Sequence, residues 1–133
     1  MDGHIFYLYF LNTIIMIYLL LAIDIFLTAA AQLSLRMGAL RISSIEFSYY
    51  FFIGLAKNYF LILGLSLFAV SFFLYTFILS KLQLNIAYPI ATGMVLVIIT
   101  IFSQFLLKES LTAVQAVGIF AVIVGVVLIL LPR

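Results

Sequence analysis

The sequence has no cysteine, no tryptophan, one histidine (His4), two prolines, and charge at only 8% of its positions. Without cysteine there is no disulfide framework and no thiol chemistry. A single imidazole leaves no nitrogen-based metal cluster, so neither a metal nor another cofactor is expected. A soluble domain carries charge on roughly a quarter of its residues. Six basic and four acidic side chains fall far short of that, and a net charge of +2 offers no argument for a nucleic-acid partner. What is present instead is 68% apolar residues over 133 positions and a mean hydropathy of +1.44. These values exclude a soluble globular protein and a disordered tail. The chain reads as a small multi-pass integral membrane protein, expected in a cell membrane (inner or plasma), with residues 1–133 as one domain.

A helix needs about 20 apolar residues to cross the hydrocarbon core. Four stretches qualify: Ile14 to Leu35, Tyr59 to Ser80, Leu84 to Leu107, and Leu111 to Leu131. A membrane β-barrel would show alternating strands of ~10 residues, whereas these runs are continuous. The expected fold class is all-α, a four-transmembrane-helix bundle. Two segments complicate it. The first apolar run starts at Ile5 and exceeds the core thickness, so either the helix tilts strongly or, the favoured reading, Ile5 to Leu11 lies in the interface with Asn12-Thr13 near the entry point; Tyr7 and Tyr9 suit that depth. The segment Ile42 to Gly54 is aromatic-rich, too short to span, and lies between Arg41 and Lys57. It suits an interfacial helix between the first two spans, the alternative being an early start of the second span. Arg36, Arg41, Lys57 and Lys108 lie on the side of the first and third loops, against Lys81 and Arg133 on the other. The positive-inside rule puts the four-cation side in the cytoplasm, by a margin thin enough to permit both orientations.

The polar residues inside the spans carry the functional information. Asp24 lies near the middle of the first span, where an acid costs ~3 kcal/mol on insertion scales. Thr28, Ala31 and Gln32 follow on the same arc of the helix. That arc reads either as a substrate- or proton-binding face, or as an acid set near the outer interface by the early helix start. In the third span Asn85, Tyr88, Thr92, Ile99 and Ser103 form one stripe. Pro89 removes the amide that would bond the Asn85 carbonyl and is expected to kink the helix, with Gly93 adding flexibility at this hinge. The stripe lines a cavity or makes interhelical hydrogen bonds. The fourth span has no charge, and its Gly118, Ala121 and Gly125 share a face that permits close helix approach, within one chain or between two. Gly64, Ser71 and Tyr75 share a face of the second span. Arg36, at the membrane edge, is an interface anchor or a phosphate contact. No nucleophile–base pair, acid pair or metal set marks an enzyme.

The run Leu84-Asn85-Ile86-Ala87-Tyr88-Pro89-Ile90, then Lys108-Glu109-Ser110-Leu111-Thr112, Gln115, Gly118 and Gly125, resembles the closing half-repeat of the drug/metabolite transporter superfamily. The segment Ala30 to Gly38 is similar to its four-helix members. Two branches compete. Small multidrug resistance exporters carry a glutamate two turns before the basic residue that ends the first helix; that position is Thr28 here, and Asp24 lies one turn earlier. Those exporters also favour a tryptophan after the alanine–tyrosine pair, which this chain lacks. Gln32, Arg36 and Ile86 to Pro89 are more similar to the subunits that flip aminoarabinose linked to undecaprenyl phosphate. The hydrophobic N-terminal extension and Asp24 depart from that pattern. The resemblance implies a flippase or transporter subunit in which Asp24, Thr28, Gln32, Asn85, Tyr88 and Thr92 shelter the polar end of a lipid-linked amphiphile. Its partners would be membrane lipid and a second four-helix subunit, identical or similar, docked through Gly118, Ala121 and Gly125. The alternatives are a proton-coupled drug or small-cation exporter using Asp24, and a non-transporting scaffold.

Overall fold

Between Gly3 and Gly38 the first apolar run contains neither proline nor glycine, so nothing in its sequence interrupts a helix. The computed structural model, which describes residues 3–42 and 49–131, has one continuous helix there. The elements are α1 (Gly3–Ala39), α2 (Tyr49–Lys57), α3 (Tyr59–Leu79), α4 (Leu84–Phe102, continued by a π turn over Ser103–Leu107) and α5 (Ala113–Leu130). No strand occurs among the described residues. Four helices are long and apolar enough to cross a membrane: Leu8–Ala39, Tyr59–Leu79, Leu84–Leu107 and Ala113–Leu130. The protein is therefore an all-α membrane protein built on four spanning helices, close to the bounds read from hydropathy.

The helix runs through Asn12-Thr13 without interruption. The Thr13 hydroxyl donates to the Tyr9 carbonyl at 2.8 Å, which satisfies it along the helix instead of against it. With 37 residues, α1 is about 55 Å long at 1.5 Å per residue, well beyond the ~30 Å core. Toward its N-terminus Leu8, Tyr9, Phe10 and Leu11 are all exposed. Part of the expected interfacial segment, Ser43 to Ser48, lies outside the described residues. The remainder begins α2, whose nine residues cannot span. An early start of the second span is also not what forms. Asn58 separates α2 from α3, its Oδ1 accepting the Phe60 amide at 3.1 Å while its Nδ2 donates to the Gly38 carbonyl at 2.9 Å.

That bond sets the register of α1 against α3. Gly64 lies against Ala31 and Leu35, where an added Cβ would come within 2.9 Å of the Ala31 carbonyl oxygen. Ser71 meets Asp24 and Thr28. Ile78 joins Ile17, Leu21 and Ile25 in the core. Gly64, Ser71 and Ile78 are the buried residues of α3, each seven after the last. A heptad spacing keeps one seam facing a partner helix along its whole length. Ala91 and Val95 of α4 complete the core from the other side of α1. Helices α3 and α4 thus both pack on α1 and touch each other little.

The joint between α4 and α5 is built differently. The π turn closes on Lys108, which adopts the left-handed conformation (φ 54°) and donates its amide to the Ser103 carbonyl. Thr112 then starts α5 with a reciprocal cap: its hydroxyl accepts the Gln115 amide and its own amide donates to Gln115 Oε1 at 2.9 Å. No residue of α5 is buried, and its main neighbour is α4.

Candidate functional site

Because α3 and α4 diverge over α1, a groove of about 380 Å³ opens between them with α1 as its floor. Its walls are Asp24, Thr28 and Gln32 from α1; Phe68, Ser71, Phe72 and Tyr75 from α3; and Tyr88, Ala91, Thr92 and Val95 from α4. The volume falls in the roughly 300–1,000 Å³ range of small-molecule sites. Phe72, Tyr88, Thr92 and Gln32 are exposed at its rim, so the groove opens on the outside of the bundle, where lipid would lie.

At its base Asp24 is 3% exposed. Ser71 Oγ donates to Asp24 Oδ1 at 2.6 Å. Ser71 has one hydroxyl proton and spends it there, so the 2.8 Å contact between Thr28 Oγ1 and Ser71 Oγ must be donated by Thr28. The hydroxyls therefore form a directed chain, Thr28 to Ser71 to Asp24. A charge-assisted bond of this kind contributes ~1.5–3 kcal/mol, comparable to the insertion cost of the acid. Ser71 is the thirteenth of 21 residues in α3, about 18 Å from its first residue and 12 Å from its last. Asp24 is level with it, so the carboxyl meets α3 well away from either end of that helix. Tyr75 adds a buried hydroxyl without a hydrogen-bond partner among the described residues, close enough to Asp24 and Tyr88 to interact with both electrostatically.

Of the α1 arc read from the sequence, Asp24, Thr28 and Gln32 line the groove while Ala31 is buried outside its lining, and Tyr88 and Thr92 line the groove from α4. Asn85 does not join them. It sits exposed in the first turn of α4, one turn before Tyr88, outside the groove lining. Pro89 lies inside α4 and supplies no amide to the Asn85 carbonyl. Gly93 is buried where α4 crosses α5; a Cβ there would lie 2.6 Å from Val126 Cγ2, so close helix approach is a reason for glycine at this position. Ser71 and Tyr75 read as part of a packing face in the second span. Their polar atoms at i, i+4 spacing were the available signal that this face meets the acid.

Arg36 continues the α1 row one turn beyond Gln32. It is held by Glu109, with Nε and Nη2 donating to Oε1 at 3.1 and 2.8 Å. An added Cβ at Gly118 or Gly125 would meet no described atom within 4 Å. Among the described residues, no group of histidine, cysteine, aspartate or glutamate side chains could hold a metal ion. No model of a known protein family matches the chain, and no solved structure matches it.

Proposed function

We propose that the protein is a transporter or flippase subunit of a cell membrane, moving an amphiphile whose polar end enters the α3–α4 groove while its tail stays in lipid. The observation that carries this reading is a buried carboxylate deep in the span, hydroxyl-bonded and set in a groove that opens sideways. An intramembrane ionisable group facing a cavity is the expected mark of a substrate or ion pathway. The groove is largely apolar with a few convergent polar groups, which suits an amphiphile's neck better than a bare ion. The resemblance to subunits that flip polyisoprenyl-phosphate-linked sugars supports that substrate class. Asp24 would contact an amine or hydroxyl of the sugar, with Tyr88, Thr92 and Gln32 supplying further hydrogen bonds. One chain leaves the groove open on one side, and a second subunit would close it. Gly118, Ala121 and Gly125, small residues on one face of α5, are the proposed contact; an added Cβ at either glycine meets no described atom within 4 Å.

The second reading is proton-coupled export of a small cation, favoured by the directed hydroxyl chain ending on a single acid. Either a proton or a cation would neutralise the same carboxylate.

The two readings separate in proteoliposomes with and without a pH gradient. The probes are a polyprenyl-phosphate-linked amino sugar and a guanidinium cation, and the comparison is wild type against Asp24→Asn. The flippase reading expects amino-sugar lipid to move without a gradient, and the substitution to reduce that movement without abolishing it. Gradient-driven cation flux that disappears completely in Asp24→Asn would overturn the flippase reading in favour of the exporter.

A further inference from the structure

A second cavity lies apart from the Asp24 groove. From their close crossing at Gly93 and Val126, α4 and α5 diverge toward the loop that joins them and leave a wedge of about 470 Å³. Deep in the wedge the walls are Leu96, Ile119 and Val122; toward the loop they are Gln104, Glu109 and Gln115, among other polar groups. The wedge is therefore graded from apolar to polar along the direction in which a bilayer lipid is graded. Glu109 lines its polar mouth, and Arg36 lies beside that mouth, 2.8 Å from Glu109 Oε1; the two side chains are 43% and 53% exposed. Glu109 accepts both Arg36 bonds on Oε1, and Oε2 has no hydrogen-bond partner among the described residues.

We propose that this wedge binds one bilayer phospholipid with a primary-amine headgroup. An acyl chain lies between Leu96, Ile119 and Val122, the phosphate is on Arg36 and the ammonium on Glu109 Oε2. The charge pattern carries the choice. A headgroup of single negative sign gains Arg36 but meets Glu109, whereas a phosphate–ammonium pair matches both. A primary ammonium has three hydrogen-bond donors and a quaternary one has none, so ethanolamine and choline lipids should be distinguished. The helix dipole at the α5 N-terminus adds little, since Thr112 and Gln115 already cap it. This site goes beyond the proposed transport function and is read by lipid retention, not by flux.

The test reconstitutes the protein in vesicles of equal parts phosphatidylethanolamine, phosphatidylcholine and phosphatidylglycerol. The protein is then extracted in mild detergent and the retained lipid is quantified by mass spectrometry. Phosphatidylethanolamine should be enriched over phosphatidylcholine by about tenfold, the worth of one charge-assisted hydrogen bond, and Glu109→Gln should remove that enrichment. Retained lipid that mirrors the mixture, a preference for phosphatidylglycerol, or enrichment that survives Glu109→Gln overturns the proposal. If the variant does not fold, photoactivatable phosphatidylethanolamine on the wild-type chain decides. Crosslinks concentrated on 100–104 and 115–122 support the site. Crosslinks spread over the outer face of α5 overturn it.

Discussion

Helices α3 and α5 are both apolar enough to span a membrane, yet they are held in opposite ways. Along α3, Gly64, Ser71 and Ile78 are buried in one seam against α1, with side-chain hydrogen bonds at two levels. Along α5 nothing is buried, and its attachments are the α4 crossing at Gly93, the loop, and the Arg36–Glu109 pair through that loop. Lipid is as apolar as leucine, so burial by itself does not hold membrane helices together. What separates α3 from α5 is small residues and hydrogen bonds aimed at a neighbour. The Asp24 groove lies on the tightly held side, where a carboxylate can be positioned, and the loosely held helix is left facing outward.

Substitutions that break the contrast should rank by how much of a seam they touch. Gly64→Leu drives a side chain into Leu35 and the Ala31 carbonyl. It should cost about 3 kcal/mol or more, above most overpacking changes, because backbone stands in the way; unfolding by denaturing detergent would measure it. Ser71→Ala leaves Asp24 without its donor at the base of the groove. A loss of about 1–3 kcal/mol, with the α1–α3 contact otherwise kept, is expected in the same assay. Stability equal to wild type would mean that the acid finds another partner.

Gly93→Val tests the other side. The nearest obstacle is the end of the Val126 side chain, so α5 should move away from α4 at a cost of about 1 kcal/mol. Protease access to the α4–α5 loop should rise while the α1–α3 seam is unchanged. Arg36→Gln removes an ion pair that is roughly half exposed on both sides, and should change stability by only ~0.2–1 kcal/mol, less at high salt. The smallest effect sharpens the comparison most. For Gly118→Leu with Gly125→Leu, the added Cβ atoms meet no described atom within 4 Å, so monomer stability should hold. If the proposed subunit contact uses this face, association measured by energy transfer between labelled chains in lipid should be lost. Unchanged association would exclude α5 as the contact.

Most of the span pattern was legible without coordinates, because hydrocarbon thickness and backbone hydrogen bonding leave an apolar run of this length few alternatives. Tyr59 to Leu79 and Leu84 to Leu107 follow from hydropathy almost to the residue. The reading failed where local signals are ambiguous. Asn85 looked like part of the polar stripe, but it lies at the helix start, outside the groove. The Glu109-Ser110-Leu111-Thr112 run, read as a family signature, has a physical use: Glu109 reaches Arg36 and Thr112 caps α5 with Gln115.

Composition, apolar run length and the isolated acid at Asp24 are properties of the chain alone, and they determined a multi-pass helical membrane protein with one costly group to explain. Only the tertiary structure decided what that group meets. A helix fixes which residues share a face, but not the axial register between two helices. Asn58 on Gly38, Gly64 on Ala31 and Ser71 on Asp24 lock α1 against α3. A slip of one turn, ~5.4 Å, would take the Ser71 hydroxyl away from the acid and leave a buried carboxylate unpaired.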